Sequence, residues 1–384
     1  MRSAVYLISA LLLFACKESS QTPSITEEPI AAAEISYAEG FTIERYEHYS
    51  VLHITNPWPG ADKAFSYLLL NKNVTQNLSD STLIDTSEFD AVVRVPVSTL
   101  VVTSTTHIPS LDMLDESEKL VGFPNLDYIS SPKTRALIAD EKIKELGQNE
   151  SINTEVLIEL SPDVVVSFAV DGANKSISAI EQTGIPVLYN ADWTETHPLG
   201  KAEWIKFFGA ILGKQAMADS IFGKIEKDYL QAKELAATAS RAPTVLSGAM
   251  YKDIWYMPQG NSWAARFIED AKGNYLWSET SGTGSLSLSL ESVLERAREA
   301  EYWIGPGQFA TKQQFNEAHN VYGEFEALKQ DRVYTFTARK GDTGGVIYYE
   351  LAPNRPDLVL KDIIAILHPH LYPEHQFNFF SKVE

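Results

Sequence analysis

Tryptophan and tyrosine residues are concentrated in polar loops that follow short apolar runs of this sequence. One such loop follows the run 185–189, and another follows the run 244–247. If these runs are strands, the rings stand at strand ends, where aromatic faces can bind the apolar surface of a small molecule. The aromatic residues of these two loops are Trp193, Tyr251, Trp255, Tyr256 and Trp263, and we expect at least two of them to line a ligand cleft. The candidate ligand contacts among them are Trp193, Tyr251, Trp255 and Trp263. The alternative is that these rings belong to the hydrophobic core.

Two other residues with reactive or charged side chains occupy comparable positions. His107 lies in a polar loop after the apolar run 98–103, and Arg339 comes shortly after the run 333–336. Open α/β sheets bind their ligands at the carboxyl ends of the strands, so both residues are candidate ligand contacts. The arginine would suit an anionic ligand. A capping or buried histidine and a solvated arginine are the alternatives.

The sequence contains no motif typical of covalent catalysis or phosphate binding. The patterns G-x-S-x-G, H-E-x-x-H and G-x-G-x-x-G are absent, and so is a Walker loop. The histidines cluster only at positions 368, 370 and 375, where Pro369 disfavours the helical spacing of metal ligands. We therefore expect no catalytic residue, no metal site and no cofactor.

The single cysteine, Cys16, directly follows an apolar run at positions 4–15. Twelve helical residues span about 18 Å whereas a hydrocarbon core measures about 30 Å, so the run indicates a signal peptide over 1–15. Leu13-Phe14-Ala15-Cys16 resembles the bacterial lipoprotein cleavage box, which implies that the cysteine is lipidated. Residues 16–40 would form a flexible tether, and the membrane would be contacted through the lipid alone. A plain secreted or buried cysteine is the alternative.

The remaining sequence alternates between strand and helix patterns. Strand-length runs separated by Pro and Gly predict a β-rich extension over 41–96. Strands that alternate with helices predict two lobes, over 97–198 and 241–384, and residues 199–240 form a helical connection with a break at Gly213. An apolar stripe marks this connection: Met217, Ile221, Ile225 and Tyr229. The predicted fold class is α/β, with two open parallel-sheet lobes joined by one long helix and a small N-terminal β meander.

The overall composition limits the range of partners. The 384 residues include 32 Lys and Arg against 51 Asp and Glu, a formal net charge of −19. A surface this acidic repels phosphate backbones, so we expect no nucleic-acid partner. Hydrophobic residues make up 44% of the chain, which is sufficient for folded lobes rather than a disordered protein.

Several segments, taken in order, resemble the class III substrate-binding proteins of bacterial ABC importers. They are Leu120-Val121-Gly122, Asn153-Thr154-Glu155 through Pro162-Asp163-Val164-Val165, Gly184-Ile185-Pro186-Val187, residues 260–271, Glu291 and Tyr302-Trp303-Ile304. The resemblance covers residues 97–367, and the whole chain is similar to versions from Bacteroidetes-type bacteria. It implies a binding protein rather than an enzyme, which holds a metal chelate between two lobes and delivers it to ABC permease subunits. A ferric siderophore is the first expected ligand, with cobalamin or haem as alternatives.

The same resemblance assigns a role to two glutamates. In proteins of this kind a glutamate near the top of each lobe meets arginines of the permease, and by motif these match Glu155 and Glu291. Each follows a helix-capping residue by two positions, so a preference for the positive helix N-terminus is the alternative. The resemblance also implies a monomer in the cell envelope, lipid-anchored on the periplasmic side.

Three other functions stay open at this point. Capture of free metal ions is disfavoured by the scarcity of histidines. A lipid-anchored hydrolase would need two carboxylates with separated pKa values in a cleft. A surface scaffold with a vestigial cleft would have its tryptophan loops packed shut.

Overall fold

The computed structural model describes residues 28–72, 84–172 and 175–384. The expected signal peptide and the expected lipidation of Cys16 lie outside these residues. The first folded unit is a sheet of five strands, in which β5 joins β4 in parallel and the other pairs are antiparallel. Its strands are β1 Ala31–Ala32, β2 Phe41–Arg45, β3 Tyr49–Ile54, β4 Phe65–Asn71 and β5 Ala91–Val95. The predicted N-terminal meander is therefore present.

The first lobe contains a five-stranded parallel sheet in the order β12-β11-β6-β7-β8. Its strands, with a short ladder formed by β9 and β10, are β6 Leu100–Val102, β7 Leu120–Phe123, β8 Lys144–Glu145, β9 Gly147–Gln148, β10 Ser151–Ile152, β11 Val164–Ser167 and β12 Val187–Tyr189. The helices of this lobe are α1 Ile108–Met113, α2 Pro132–Ala139, α3 Thr154–Leu160 and α4 Lys175–Glu181. Valine-rich strands such as β11 are buried along their whole length, as expected for parallel sheets covered by helices.

Three helices connect the lobes: α5 Pro198–Glu203, α6 Ile205–Leu212 and α7 Gln215–Ala237. Gly213 ends α6 with a positive φ of 71°, which is the break predicted from the sequence. Helix α7 has 23 residues and is about 34 Å long. Its buried side chains are Ala218, Phe222, Ile225, Tyr229, Ala232 and Ala236. Because a helix has 3.6 residues per turn, the buried stripe alternates steps of four and three, and Met217 from the predicted stripe lies outside it, 39% exposed.

The second lobe has a five-stranded sheet in the order β16-β13-β18-β19-β20, parallel except for β20 at its edge. A second, antiparallel sheet consists of β14, β15 and β17. The strands are β13 Thr244–Ser247, β14 Ala249–Tyr251, β15 Ile254–Pro258, β16 Asn274–Tyr275, β17 Ser285–Leu288, β18 Tyr302–Ile304, β19 Val333–Thr335 and β20 Ser381–Lys382. The helices are α8 Trp263–Asp270, α9 Leu290–Ala297, α10 Lys312–Ala318, α11 Glu326–Lys329, α12 Ile347–Leu351 and α13 Pro356–Leu367. Together with the first lobe, this confirms the predicted fold class.

The N-terminal sheet shares a hydrophobic core with the first lobe and the connecting helices. The rings of Phe41 and Trp204 are 4.5 Å apart between centroids, and the backbone N–H of Tyr189 donates to the Tyr67 hydroxyl at 3.1 Å. Tyr189 is the last residue of the edge strand β12, so the N-terminal sheet packs beside the sheet of the first lobe. The extension is therefore an integral part of that lobe.

Residues 34–40, which we call the N-terminal strap, differ from the tether expected there. The backbone N–H groups of Ser36, Tyr37 and Ala38 donate to the buried carboxylate of Glu203. Glu195 accepts in the same way from the N–H groups of residues 39 and 40. Fixed backbone donors satisfied by buried carboxylates hold the strap against α5, so the expected tether cannot extend through residue 40.

Candidate functional site

A cavity of about 240 Å³ lies where the two lobes meet. The first lobe contributes loops that follow β6, β7 and β11, at the carboxyl ends of its parallel strands, and the second lobe contributes the start of α12. Among the described residues its lining contains no charged side chain and consists of Thr103, Ser104, Thr105, Phe123, Pro124, Tyr128, Asn149, Phe168, Gly345, Val346 and Tyr349. We call this space the interlobe cavity.

The mouth of the interlobe cavity is aromatic. Tyr128 from the first lobe is 63% exposed, and Tyr349 from the second is 56% exposed. Enclosed small-molecule pockets measure about 300–1,000 Å³, which is more than this cavity offers. A ligand the size of a metal chelate would therefore extend out of the cavity and contact both exposed rings.

Some polar groups of the cavity have hydrogen-bond partners within the protein, and others do not. The Thr103 hydroxyl donates to Ser167 Oγ and accepts from the N–H of Phe168, each at 3.3 Å. In contrast, Oδ1 of Asn149 is buried and has no hydrogen-bond partner within the described part of the chain. An unsatisfied buried acceptor is costly, so this oxygen is a destabilising feature of the cavity wall.

A second cavity, of about 310 Å³, lies within the second lobe. Its lining residues are Tyr256, Met257, Pro258, Ser262, Trp263, Ala264, Thr283, Gly284 and Ser285. The Trp263 ring is 5.9 Å from the ring of Tyr348, and Tyr348 precedes Tyr349 of the interlobe cavity in sequence. The Tyr348 ring is in turn 6.2 Å from the Tyr349 ring, so two ring contacts connect a lining residue of the second cavity with one of the interlobe cavity.

Residues 343–354, which we call the junction segment, bind the second lobe to the first. Both oxygens of Glu350 accept backbone N–H groups of the first lobe, from Ser130 at 2.5 Å and from Ser131 at 2.8 Å. Burial, with a smaller contribution from the nearby Asp112 carboxylate, raises the pKa of the Glu350 carboxyl to about 7, although the two N–H donors oppose the shift. This contact between the lobes is therefore sensitive to protonation near neutral pH.

Further hydrogen bonds support the junction segment. The amide of Asn354 accepts from the Ser110 hydroxyl at 2.8 Å and donates to the backbone oxygen of Thr106 at 2.7 Å. At the other end of the segment, the Thr343 hydroxyl donates to the backbone oxygen of Asp127 at 2.8 Å. The lobes are thus joined by directional polar contacts beside the interlobe cavity.

Lys201 of α5 connects the two lobes at a second place. Its Nζ donates to the backbone oxygens of Asp192 and Trp193 at 2.9 and 3.0 Å, and it lies 5.3 Å from the centre of the Trp263 ring. Burial lowers the pKa of this amine to about 8, although Asp192 and Glu195 partly oppose the shift. The lysine thereby brings two of the predicted aromatic residues, Trp193 and Trp263, to the same junction.

The other predicted ligand residues have different surroundings. Tyr251 is exposed on the β14–β15 hairpin, outside the lining of both cavities. Trp255 is fully buried, stacked on Trp303 at 5.3 Å, and its indole N–H donates to the backbone oxygen of Ser247. Because strand residues alternate between faces, Trp255 points into the core of the second lobe, and no face of its ring is open to a ligand.

His107 and Arg339 are likewise engaged away from the cavity lining. The histidine is fully buried beside Phe208, and burial lowers its pKa to about 4. The guanidinium of Arg339 donates to Ser381 Oγ and to the backbone oxygen of Asn378, in the C-terminal segment. Neither side chain is placed to contact a ligand in the interlobe cavity.

The two predicted docking glutamates occupy equivalent positions in the two lobes. Glu155 lies in the first turn of α3, which Asn153 caps, and Glu291 lies in the first turn of α9, which Ser289 caps. Both glutamate side chains are exposed. Their exposure is compatible with docking to a partner, and their first-turn positions are compatible with a favourable interaction with the helix dipole. The structure therefore agrees with both interpretations.

The residues that sequence reasoning missed are those that form the interlobe cavity and the junction. Tyr128, Phe168 and Tyr349 line the cavity, and Glu350 closes the contact beside it. The sequence did contain a signal for Tyr349 and Glu350, because Tyr348-Tyr349-Glu350 comes two residues after the glycine cluster at 341–345. Tyr128 and Phe168 follow β7 and β11 at the carboxyl edge of the sheet, where ligand contacts were predicted, but the prediction was limited to the loops that contain tryptophan.

Within the described residues, the structure contains neither a helix long and apolar enough to cross a membrane nor a group of three His, Cys, Asp or Glu side chains arranged to hold a metal ion.

The chain is 28% identical over 300 residues to an uncharacterized lipoprotein of Methanocaldococcus jannaschii, an alignment that covers 76% of this chain and 70% of the relative.

Solved structures share the fold at low sequence identity. A Fe³⁺–Desferal-bound siderophore-binding protein from Vibrio cholerae has a TM-score of 0.51 and 18% identity, covering 70% of this chain and 99% of its own. A periplasmic haem-binding protein from Pseudomonas aeruginosa has a TM-score of 0.56 and 15% identity, covering 75% and 98%. Both have the class III architecture of two lobes that the sequence predicted.

The family model described as periplasmic binding protein matches residues 100–339, which is more than half of the chain and includes most of both lobes. This family consists of proteins that bind substrates for transport by ABC-type importers, outside the cytoplasm. The chain belongs to the periplasmic binding protein family.

Proposed function

We propose that this protein is a lipid-anchored binding protein that captures an iron–siderophore-type chelate between its lobes and delivers it to an ABC permease. The observation that carries the proposal is the interlobe cavity, which is formed by both lobes at the carboxyl ends of parallel strands. Its uncharged lining and its two exposed tyrosines suit a bulky organic shell around a metal better than a bare metal ion.

Ligand capture is tested by titrating the purified protein with ferric siderophores, haem and cobalamin while recording tryptophan fluorescence. Trp193 is 37% exposed, and Trp263 is half-buried at the lobe junction, so a chelate bound nearby should quench their emission. We expect saturation at one equivalent for an iron chelate. Saturation with haem or cobalamin alone would replace the ligand while keeping the transport role. No response to any chelate, checked by calorimetry, would contradict the proposal.

Delivery is proposed to depend on Glu155 and Glu291. One exposed carboxylate at the same helical position in each lobe can pair with two basic sites of a permease and thereby set the orientation of the complex. Replacing both by alanine should lower uptake at least about tenfold, while ligand affinity stays unchanged.

A matched control variant is available on the same two helices. Glu159 and Glu295 lie one turn further along α3 and α9, and both are exposed. Their double alanine replacement removes the same charge, so uptake should stay near wild type. Equal losses of uptake in both double variants would show that only net charge matters and would contradict docking through the first-turn glutamates.

Anchoring is proposed to depend on Cys16. The Cys16→Ser variant cannot form the thioether to a lipid, so the protein should move from the membrane fraction to the soluble fraction. Membrane retention of the variant at the wild-type level would contradict lipid anchoring.

A further inference from the structure

We propose that the N-terminal sheet takes part in ligand binding, because it holds in place a segment of the first lobe that lines the interlobe cavity. The loop between β3 and β4, residues 55–64, is called the extension loop here and carries Trp58. Trp58 is a positioning residue for residues 168–172, the β11 segment, which begins with Phe168 of the cavity lining. The inference rests on the proposed capture of a ligand between the lobes. It assigns a role to residues outside the family match, which covers 100–339.

The Trp58 ring contacts the ends of two neighbouring strands of the first lobe. It meets the ring of Tyr189, the last residue of β12, edge to face at a centroid distance of 5.6 Å. It also lies against Gly172, where an added Cβ would be only 3.2 Å from Cζ2 of Trp58. Because β11 and β12 are adjacent and parallel, both ends lie at the edge where open α/β sheets bind ligands. A side chain of the N-terminal sheet therefore occupies part of that edge.

The β11 segment connects Trp58 with the interlobe cavity. At its start, Phe168 lines the cavity, and the backbone N–H of this residue donates to the Thr103 hydroxyl at 3.3 Å. In its middle, Val170 is 66% exposed, and at its end Gly172 meets the Trp58 ring. A segment with few buried contacts opens at low cost in free energy, so loss of the ring should let the segment move relative to the cavity.

The extension loop holds the Trp58 ring in a defined conformation. The backbone N–H of Ala61 donates to the backbone oxygen of Trp58 at 3.1 Å, which closes a four-residue turn. Pro59 fixes the second position of this turn, and Gly60 has a positive φ of 76° at the third, as a type II turn requires. Trp58 thus occupies the first position of a stiff turn.

The base of the extension loop is tied to the N-terminal strap. The backbone N–H of Thr55 donates to the backbone oxygen of Gly40, and its hydroxyl donates to that of Glu39, both at 2.9 Å. The N–H groups of the same two strap residues donate to the carboxylate of Glu195 in the first lobe. The loop is therefore fixed relative to the lobe on which its tryptophan acts.

The alternative is that Trp58 only fills space between the N-terminal sheet and the first lobe. Trp58 is half-buried, however, and lies outside the shared hydrophobic core of the described residues. Buried residues such as Phe41 and Tyr67 join the sheet to the lobe instead. Removal of the Trp58 ring should therefore affect ligand affinity more than it affects the stability of the fold.

Calorimetric titration of the full chain with ferrichrome, cyanocobalamin and haem tests this inference. The probe that binds the wild type should lose at least about fivefold in affinity in Trp58→Ala and about twofold or less in Trp58→Phe, which keeps an aromatic ring at this place. Wild-type affinity in Trp58→Ala would overturn the inference and leave the proposed function intact.

Tyr46→Ala is the matched control. Tyr46 is buried with Val51 and Leu68 in a separate hydrophobic cluster, on the face of the N-terminal sheet that points away from the first lobe. Its replacement should lower the stability of the sheet at least as much as Trp58→Ala does, yet change the affinity less than about twofold. Equal losses of affinity in both variants would overturn the inference, since affinity would then follow the stability of the sheet alone.

A spin label reports on the β11 segment without any ligand. Val170→Cys in a full chain that also carries Cys16→Ser offers a single cysteine for a nitroxide. We expect faster motion of the label in Trp58→Ala and wild-type motion in Tyr46→Ala. An unchanged spectrum in Trp58→Ala would overturn the inference. Failure of every probe to bind the wild type would contradict the proposed function, and the label would then still test whether Trp58 holds the segment.

Discussion

Glu203 and Glu350 are both buried and both accept backbone N–H groups, but they join different parts of the protein. Glu203 accepts from the N-terminal strap, with Tyr37 N–H at 2.7 Å, and Glu350 accepts from the first lobe, with Ser130 N–H at 2.5 Å. The difference is the countercharge. Lys206 lies 2.8 Å from Glu203, whereas Glu350 has no ion-pair partner in the described structure and is near the Asp112 carboxylate.

This difference indicates that one connection is permanent and the other is adjustable. The Glu203 carboxylate is held by an adjacent ammonium and by backbone donors through charge-assisted hydrogen bonds, and these contacts fix the strap against α5. A carboxylate with a pKa of about 7 changes its charge near neutral pH, and Glu350 lies at the contact between the lobes beside the interlobe cavity. Strength at the strap and adjustability at the junction are compatible with the proposed capture of a ligand between two lobes that move slightly.

The largest effect is expected from removing the permanent connection. Glu203→Ala leaves the Lys206 ammonium buried without its partner and leaves the N–H groups of the strap unsatisfied. Breaking a buried ion pair costs about 3–5 kcal/mol, so the free energy of unfolding should fall by that amount in urea titrations. The control Glu234→Ala, exposed on α7, should change it by less than about 0.5 kcal/mol. A loss below about 1 kcal/mol for Glu203→Ala would refute the proposed strength of the strap.

The adjustable connection predicts a pH dependence of intermediate size. Because the folded protein raises the pKa of Glu350 from 4.5 to about 7, its contribution to stability is fully present below pH 4.5 and is lost as the pH rises through 7. Glu350→Gln cannot titrate. The free energy of unfolding of this variant minus that of wild type should therefore increase between pH 4.5 and pH 8, by up to about 3 kcal/mol.

Urea titrations at several pH values measure this difference. Glu299→Gln changes an exposed carboxyl and is the matched control, whose stability should follow that of wild type at each pH. If the Glu350→Gln and wild-type curves stay parallel, the junction is not the adjustable element, and the comparison of the two glutamates fails.

The smallest effect is expected at the rim of the junction segment. Thr343→Val removes the exposed hydrogen bond from the Thr343 hydroxyl to the backbone oxygen of Asp127. Water can replace this partner, so the free energy of unfolding should fall by less than about 1 kcal/mol. A loss of about 2 kcal/mol or more would exceed the usual contribution of a single hydrogen bond. It would mean that the rim rather than Glu350 holds the lobes together.

Local patterns were sufficient to predict the elements but not all side-chain directions. The capping residues Asn153 and Ser289 located the starts of α3 and α9, and apolar runs located the parallel strands. Trp255 shows the limit of considering loops alone. In β15 the alternation Ile254-Trp255-Tyr256-Met257 buries the second and fourth residues, and the period of two in the sequence would have shown this.

The interlobe cavity and the junction could not be predicted from local patterns because they depend on contacts between residues far apart in the sequence. Glu350 contacts Ser130 across 220 positions, and Asn354 contacts Ser110 across 244. No periodicity or spacing rule connects such residues. Their association follows from how the connecting helices set the two lobes against each other, which is determined by tertiary packing.

The most direct measurement of the central claim is the affinity of a Tyr128→Ala, Tyr349→Ala double variant for ferrichrome, determined by calorimetry. Both rings are exposed at the mouth of the interlobe cavity, so their removal should leave stability nearly unchanged. If the chelate binds between the lobes, the affinity should fall about tenfold or more, while Tyr251→Ala, an exposed tyrosine outside the cavity, should lower it less than twofold. Wild-type affinity in the double variant would contradict the assignment of the interlobe cavity as the ligand site.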